Sequence, residues 1–263
     1  MKNKIILGVT DLSFHRITAS IISHILINMG FDVERIYSPH QDNFTKLKSG
    51  EVDMIASAWL PSSHGIYKAD VEEKVELLEL GLHYKPYALW GIPDYIPESA
   101  VSEIKDLLKP NILSRMNRRI QGINPGAGIT RFSIKMMNSY GLTRAGYTFY
   151  TGSEEDCFTA FEAAIENKEW VVVPLWKPQF LHHKHNIREI SEPKGLLGVI
   201  DRAVLLLRQD KSIDFTQEQI KQLDSLKFSN KIIAALDYQV SREGKAIDEV
   251  TKQWLINHHD RNE

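Results

Sequence analysis

The run Lys4-Ile5-Ile6-Leu7-Gly8-Val9, followed by Thr10-Asp11-Leu12-Ser13-Phe14-His15, decides the fold. Its apolar half reads as a buried parallel strand over 4–9. Behind it Ile17, Ile21, Ile22, Ile25, Leu26 and Met29 recur at helical spacing over 15–29, and Gly30 supplies a C-cap. A second strand over 31–36, a short helix over 41–48 ending at Gly50 and a third strand over 52–58 complete a βαβαβ opening. Such an opening implies right-handed crossovers and a parallel sheet covered on both faces.

Working outward, the pattern predicts a helix near 62–69 and a strand near 75–80. A stretch marked by Pro86, Pro93 and Pro97 then reads as a stiff connector. A second αβ set follows, with helices over 100–109, 128–139 and 153–166 and strands over 119–123, 147–150 and 170–174. Ser153-Glu154-Glu155-Asp156 has capping-box character. After the break Ser191-Glu192-Pro193-Lys194-Gly195, an apolar strand over 203–207 and helices near 216–226, 230–240 and 246–257 return to the first lobe. The expectation is a two-lobed α/β fold, each lobe a mostly parallel sheet flanked by helices. Lobe I is 1–87 plus 195–263 and lobe II is the inserted 88–194, with a ligand cleft between them.

Composition narrows the partners. The 263 residues carry 32 Lys+Arg against 34 Asp+Glu, a formal charge of −2, without the basic excess of a nucleic-acid binder. No apolar run approaches the roughly 18–20 residues that span a bilayer. The single Cys157 excludes an intrachain disulfide framework, and its acidic neighbours point to a buried, inert thiol. Met1-Lys2-Asn3-Lys4 resembles a basic leader start, but Thr10-Asp11 cuts the apolar stretch short of the roughly 7–15 residues a leader needs. Two expectations stay open: a cytosolic chain, or a mature form acting in the periplasm or outside the cell.

Three of the five tryptophans mark candidate sites. Trp59 closes the third strand in Ala58-Trp59-Leu60-Pro61, Trp176 closes a second-lobe strand in Leu175-Trp176-Lys177-Pro178, and Trp90 sits in the connector. Strand carboxyl ends face the cleft of an open α/β sheet, so Trp59 and Trp176 suit a cage for a quaternary ammonium cation. Core packing is the competing role. The start of the first helix is a ready anion site, with Ser13 and His15 as added donors. Asp11 would instead balance a cation. Ser13 also suits a plain capping role. His182-His183-Lys184-His185 reads as a solvated loop, and His258-His259 as incidental. No phosphate loop, Gly-x-Ser-x-Gly elbow or His-Glu-x-x-His is present, so no cofactor, metal or catalytic residue is expected.

The chain resembles the glycine betaine/choline/proline-betaine substrate-binding proteins of ABC importers. The resemblance rests on Leu47-Lys48-Ser49-Gly50-Glu51-Val52-Asp53 followed by Trp59-Leu60-Pro61. It continues through Pro93-Asp94-Tyr95-Ile96, Gly122-Ile123-Asn124-Pro125-Gly126-Ala127-Gly128, Ser139-Tyr140-Gly141-Leu142, Trp170-Val171-Val172-Val173 and Leu175-Trp176-Lys177-Pro178. It covers nearly the whole chain in order and implies the periplasmic-binding-protein fold. Trp59 and Trp176 match two cage tryptophans. Where members often carry a third tryptophan, this chain has Gly126 and Ala127, and where they have His-Trp it has Gln179-Phe180. Trp90, Phe14 or Tyr150 would then complete the cage. The resemblance implies a monomeric receptor that closes about a hinge on a quaternary-ammonium osmolyte and docks on a membrane permease. Two rivals stand beside it: a cytosolic enzyme using His15 or Asp11 as base, and an intracellular ligand sensor.

Overall fold

The structure is a computed structural model describing residues 3–259; Met1, Lys2 and the side chains of His258 and His259 fall outside what it describes. The chain divides into two compact units, the first comprising 1–86, 178–183 and 201–263 and the second 87–177 and 184–200.

Unit 1 opens with β1 (Lys4–Thr10), α1 (Ser13–Asn28), β2 (Asp32–Ser38), α2 (His40–Ser49), β3 (Met54–Leu60), α3 (Gly65–Glu72) and β4 (Leu77–Tyr84). Unit 2 carries β5 (Tyr87–Pro93), a 3-10 turn (Ile104–Leu108), α4 (Pro110–Leu113), β6 (Arg119–Gln121), α5 (Gly128–Ser139), β7 (Thr148–Tyr150), α6 (Glu154–Asn167) and β8 (Val173–Lys177). The short α7 (Leu181–Lys184) leads to β9 (Ile187–Glu189) of unit 2. The chain then re-enters unit 1 as β10 (Arg202–Arg208), α8 (Gln217–Asp224), α9 (Asn230–Ser241) and α10 (Ile247–His259).

The sheet of unit 1 has the order β2-β1-β3-β10-β4. β1 is parallel to β2 and β3, and β10 is antiparallel to both β3 and β4. β3 is buried along its whole length, as a central strand covered on both faces must be. Phe44 and Leu47 of α2 and Val71 of α3 pack on Ile55, Ala58, Val204 and Leu206 on one side. This approach needs Gly8: a Cβ there would stand 2.3 Å from Asn43 Oδ1 and 2.8 Å from Val52 Cγ1. Gly50 ends α2 in the left-handed conformation, φ 86°, as a glycine C-cap does. α9 and α10 return to α1, where Asp248 accepts from Ser20 Oγ at 2.6 Å and from both Arg35 guanidinium nitrogens at 2.9 and 2.7 Å.

Unit 2 corrects three expectations. The proline-marked stretch is a strand, not a connector: β5 pairs with β8 and β9 and buries Trp90 completely. Pro86 precedes the strand and Pro93 ends it, so neither interrupts the ladder. Both of its pairings are antiparallel, so this sheet is not the parallel one expected; β6 and β7 pair in parallel. The helix expected over 100–109 is a 3-10 turn followed by α4, with Pro110 at its start.

The unit boundaries also differ from the expected lobe boundaries at 87/88 and 194/195. Residues 178–183 group with unit 1, where Phe180 N donates to Asp237 and the Arg242 guanidinium stacks 4.1 Å from the Phe180 ring centroid. The second return to unit 1 follows Ile200, and Asp201 N donates to Pro86 O at 2.7 Å there.

Candidate functional site

In unit 1 the turns leaving β1, β2 and β3 lie side by side, because those strands are adjacent and parallel. Each turn delivers a histidine at the start of a helix: His15 in the first turn of α1, His40 at the head of α2 and His64 as the cap of α3. One nitrogen of each lies within 4.8 Å of the others, and all three rings are buried. The sequence reading singled out His15 but not His40 or His64. The available signal was a histidine following each parallel strand.

Around them stands an aromatic cluster. Phe14 lies 5.1 Å from Trp59, His15 lies 5.3 Å from Trp59, and the His64 ring stacks at 25° to Trp59 with centroids 6.3 Å apart. Tyr84 meets Trp59 edge-on at 6.4 Å. The Trp59 indole N–H is shared between Ser57 Oγ at 3.3 Å and Tyr84 Oη at 3.2 Å, and the two hydroxyls are bonded to each other. Ser57 itself takes φ 60° within β3, where β3 and β10 slip register between Val204 and Leu206. A non-glycine residue in that conformation is costly, and the bulge re-aims the strand just before Trp59.

Could the three histidines hold a metal? The N–H of Trp59 lies 3.0 Å from His64 Nδ1. A backbone N–H only donates, so this nitrogen accepts and the neutral ring carries its proton on Nε2. His64 therefore presents a proton where a metal needs a lone pair, and the site is better suited to a hydrogen-bond acceptor. The buried Asp201 fixes the turn, accepting from Ser62 N at 2.6 Å, Ser63 N at 3.0 Å and Ser63 Oγ at 2.7 Å. Burial, and then the neighbouring His40, hold His15 well below the usual histidine pKa, so it is neutral near pH 7. Its Nδ1 has no hydrogen-bond partner among the described residues.

The other expected site residues fall in different places. Asp11 is half-exposed and ion-paired with Arg16, whose Nε donates at 2.8 Å. Ser13 does not cap α1; the cap is Leu12, without a side-chain bond, and Ser13 Oγ donates instead to Asp237 at 3.1 Å.

In unit 2, Trp176 lies near the end of β8, opposite Ala88, and its ring stands 5.7 Å from Phe158. The Trp90 N–H donates to Ser133 at 2.8 Å, and the residue is fully buried in β5. Arg119 covers the Tyr150 ring at 3.6 Å. Gly126 O accepts from Arg131 at 2.6 Å, and Ala127 caps α5 without a side-chain bond. The segment at 182–185 is partly helical; His185 faces Glu162 at 3.4 Å. Cys157 is buried, donates to Pro174 O at 3.2 Å, and burial pushes its thiol pKa up, leaving it inert at neutral pH.

Comparison with known proteins follows the same lines. The family model OpuAC, the substrate binding domain of ABC-type glycine betaine transport systems, matches residues 3–257. The glycine betaine/carnitine transport binding protein GbuC of Listeria monocytogenes is 22% identical over 153 residues, 58% of this chain and 50% of that protein. The match thus spans about half the length of this curated relative. Lactococcal OpuAC, solved closed with glycine betaine, superposes with a TM-score of 0.84 at 24% identity over 98% of this chain and 97% of that one. A choline binding protein solved with choline gives 0.84 at 16% identity over 99% and 90%. Both likenesses carry the fold.

Proposed function

The chain belongs to the OpuAC family, the substrate-binding domains of ABC-type glycine betaine transport systems, and on that premise we propose that it captures a quaternary-ammonium compound through Trp59 and Trp176. The observation that carries the reading is the cluster of Phe14, Trp59 and Tyr84 at the carboxyl ends of parallel strands, where open α/β sheets bind ligands. Faces of indole rings attract a desolvated cation by about 2 kcal/mol or more. Trp59 belongs to unit 1 and Trp176 to unit 2, and each offers an indole face. The Nε2–H of His64 and the start of α1 are the donors for the ligand's polar end.

The protein acts outside the cytoplasmic membrane as a monomer and hands its ligand to an ABC permease, whose separate ATPase drives uptake. No helix among the described residues is long and apolar enough to cross a membrane. It works by binding and not by catalysis: of the two bases an enzyme would draw on, Asp11 is ion-paired with Arg16.

Calorimetric titration with glycine betaine, choline, carnitine, proline betaine and trimethylamine N-oxide tests the reading, with tryptophan fluorescence recorded in parallel. Saturable binding of at least one compound is expected, with a fluorescence change lost in Trp59→Ala. A folded protein that binds none of the five contradicts it.

A further inference from the structure

The Trp59 indole N–H is a single donor, yet it meets two acceptors: Ser57 Oγ at 3.3 Å and Tyr84 Oη at 3.2 Å. One acceptor is enough to satisfy a buried indole. The second is held at a cost, since Ser57 reaches its place with φ 60°. All three residues are buried, so these bonds are made away from bulk water. Packing alone gives no reason for a strained second acceptor at the edge of one tryptophan.

The protons of this network can be placed. Burial raises the Tyr84 phenol above its usual range, so Oη keeps its hydrogen at neutral pH. Thr18 also bonds to Tyr84, and its own hydroxyl donates to Phe14 O at 3.1 Å. A hydroxyl has one hydrogen, so Thr18 can only accept from Tyr84. Tyr84 has thereby spent its hydrogen, and in the bond between the two hydroxyls Ser57 is the donor. Tyr84 Oη then accepts from Ser57 and from the indole with its two lone pairs. The donors run one way, from the Trp59 indole through Tyr84 and Thr18 to the main chain of Phe14, whose ring stands 5.1 Å from Trp59.

We propose that Tyr84 is a positioning residue for cation capture, its hydroxyl acting with that of Ser57 to lock the Trp59 indole in place and to polarise it. The proposal rests on the quaternary-ammonium reading above. Hydrogen bonds ordered in one direction polarise one another, more strongly away from water. An N–H drawn toward two oxygens leaves more electron density on the indole, and a denser ring face attracts a cation more. Tyr84 thus acts on the charge of the ligand through Trp59.

The test is calorimetry on the full chain with glycine betaine and its neutral-headed analogue 3,3-dimethylbutanoate, the weaker one measured by displacement, in wild type and Tyr84→Phe, each checked by thermal melting. Tyr84→Phe keeps the ring and leaves the indole only its bond to Ser57. Its preference for glycine betaine over the analogue is expected to fall by about threefold or more relative to wild type. An unchanged preference overturns the proposal. So does a parallel loss for both compounds, which is the mark of a purely structural side chain. A wild type that shows no preference between the two removes the underlying reading and the proposal with it. Nitrogen–proton NMR of the wild type carries the test should the variant not fold. Among the five tryptophans, the Nε1–H signal lost in Trp59→Phe should lie at the hydrogen-bonded, downfield end. A signal at the position of an unbonded indole also overturns the proposal.

Discussion

The main-chain N–H of Trp59 donates to Nδ1 of His64 at 3.0 Å, so the residue that offers a cation its aromatic face also sets which nitrogen of its neighbour holds a proton. The turn between them is held by Asp201, and His64 in turn stacks on the indole. An aromatic wall and a polar donor are thus built as one unit from six consecutive residues.

This pairing predicts the protonation state of His64. Long-range nitrogen–proton NMR of the free protein should show His64 protonated at Nε2 and unprotonated at Nδ1. Adding zinc should leave those signals in place, and a chelator should leave ligand affinity unchanged. A zinc-dependent shift of the His15, His40 and His64 resonances together would show that the cluster is a metal centre instead.

Asp201 is the support for that turn. Asp201→Ala leaves the amides of Ser62 and Ser63 and one hydroxyl without their acceptor, a loss of about 2–4 kcal/mol of stability. Chemical denaturation should register this loss, with ligand affinity falling as His64 loses its position. A variant as stable as wild type would show that the turn holds itself.

Two buried groups give opposed pH dependences. Burial raises the Asp237 carboxyl to about 6 despite three donors. A raised folded-state pKa gives stability that is complete below the unfolded value near 3.8 and is lost as pH rises through 6. Burial lowers His83 to about 4, and neither of its nitrogens has a hydrogen-bond partner among the described residues. Its contribution runs the other way, complete above about 6.5 and lost as pH falls to 4. Each amounts to roughly 3 kcal/mol, so across pH 4–6 they offset one another.

Single substitutions should therefore separate them. Asp237→Asn keeps an acceptor for Ser13 and Phe180 and an amide for the Ser241 oxygen. It should be more stable than wild type at pH 8 and show a steeper loss of melting temperature between pH 6 and 4. His83→Leu should show the reverse, with stability falling as pH rises over that interval. Parallel melting curves for both variants and wild type across pH 4–8 would contradict the assignment.

Ser57 stores strain just ahead of the aromatic wall. Ser57→Gly relieves the φ of 60° but removes the hydroxyl that joins Trp59 to Tyr84. Ser57→Ala removes the hydroxyl and keeps the strain. Thermal melting should thus place the glycine variant above the alanine variant by on the order of 1 kcal/mol, with both weakened in ligand affinity. The reverse order would show that the strand conformation is not strained there.

Much of unit 1 was legible in the sequence. Apolar runs, helical spacing and the caps Gly30 and Gly50 located β1 through α2 to within a few residues, because local periodicity and burial agree there. Unit 2 was less legible. Pro86 precedes β5 and Pro93 is its last residue, and the three residues of β9 include the charged Arg188 and Glu189, so neither strand carried a clear signal. Pairing direction is a tertiary property, and nothing local in β8 announced an antiparallel partner. At the site, Trp59, Phe14 and His15 were accessible from their places after β1 and at the end of β3. His40 and His64 were not, since a lone histidine before a helix has no periodic context, and only the side-by-side placement of three parallel strands brings them together. Ser13 was read as a cap because its partner, Asp237, lies more than two hundred residues away.

The measurement that tests the central claim most directly compares glycine betaine with 3,3-dimethylbutanoate, which has the same shape with carbon in place of the charged nitrogen. If indole faces hold the cation, calorimetry should show the neutral-headed analogue binding about 30-fold or more weaker to wild type, with the difference shrinking in Trp59→Ala and in Trp176→Ala. Equal affinity for the two compounds in the folded wild type would contradict the account, because it would mean that the pocket reads shape and carboxylate alone.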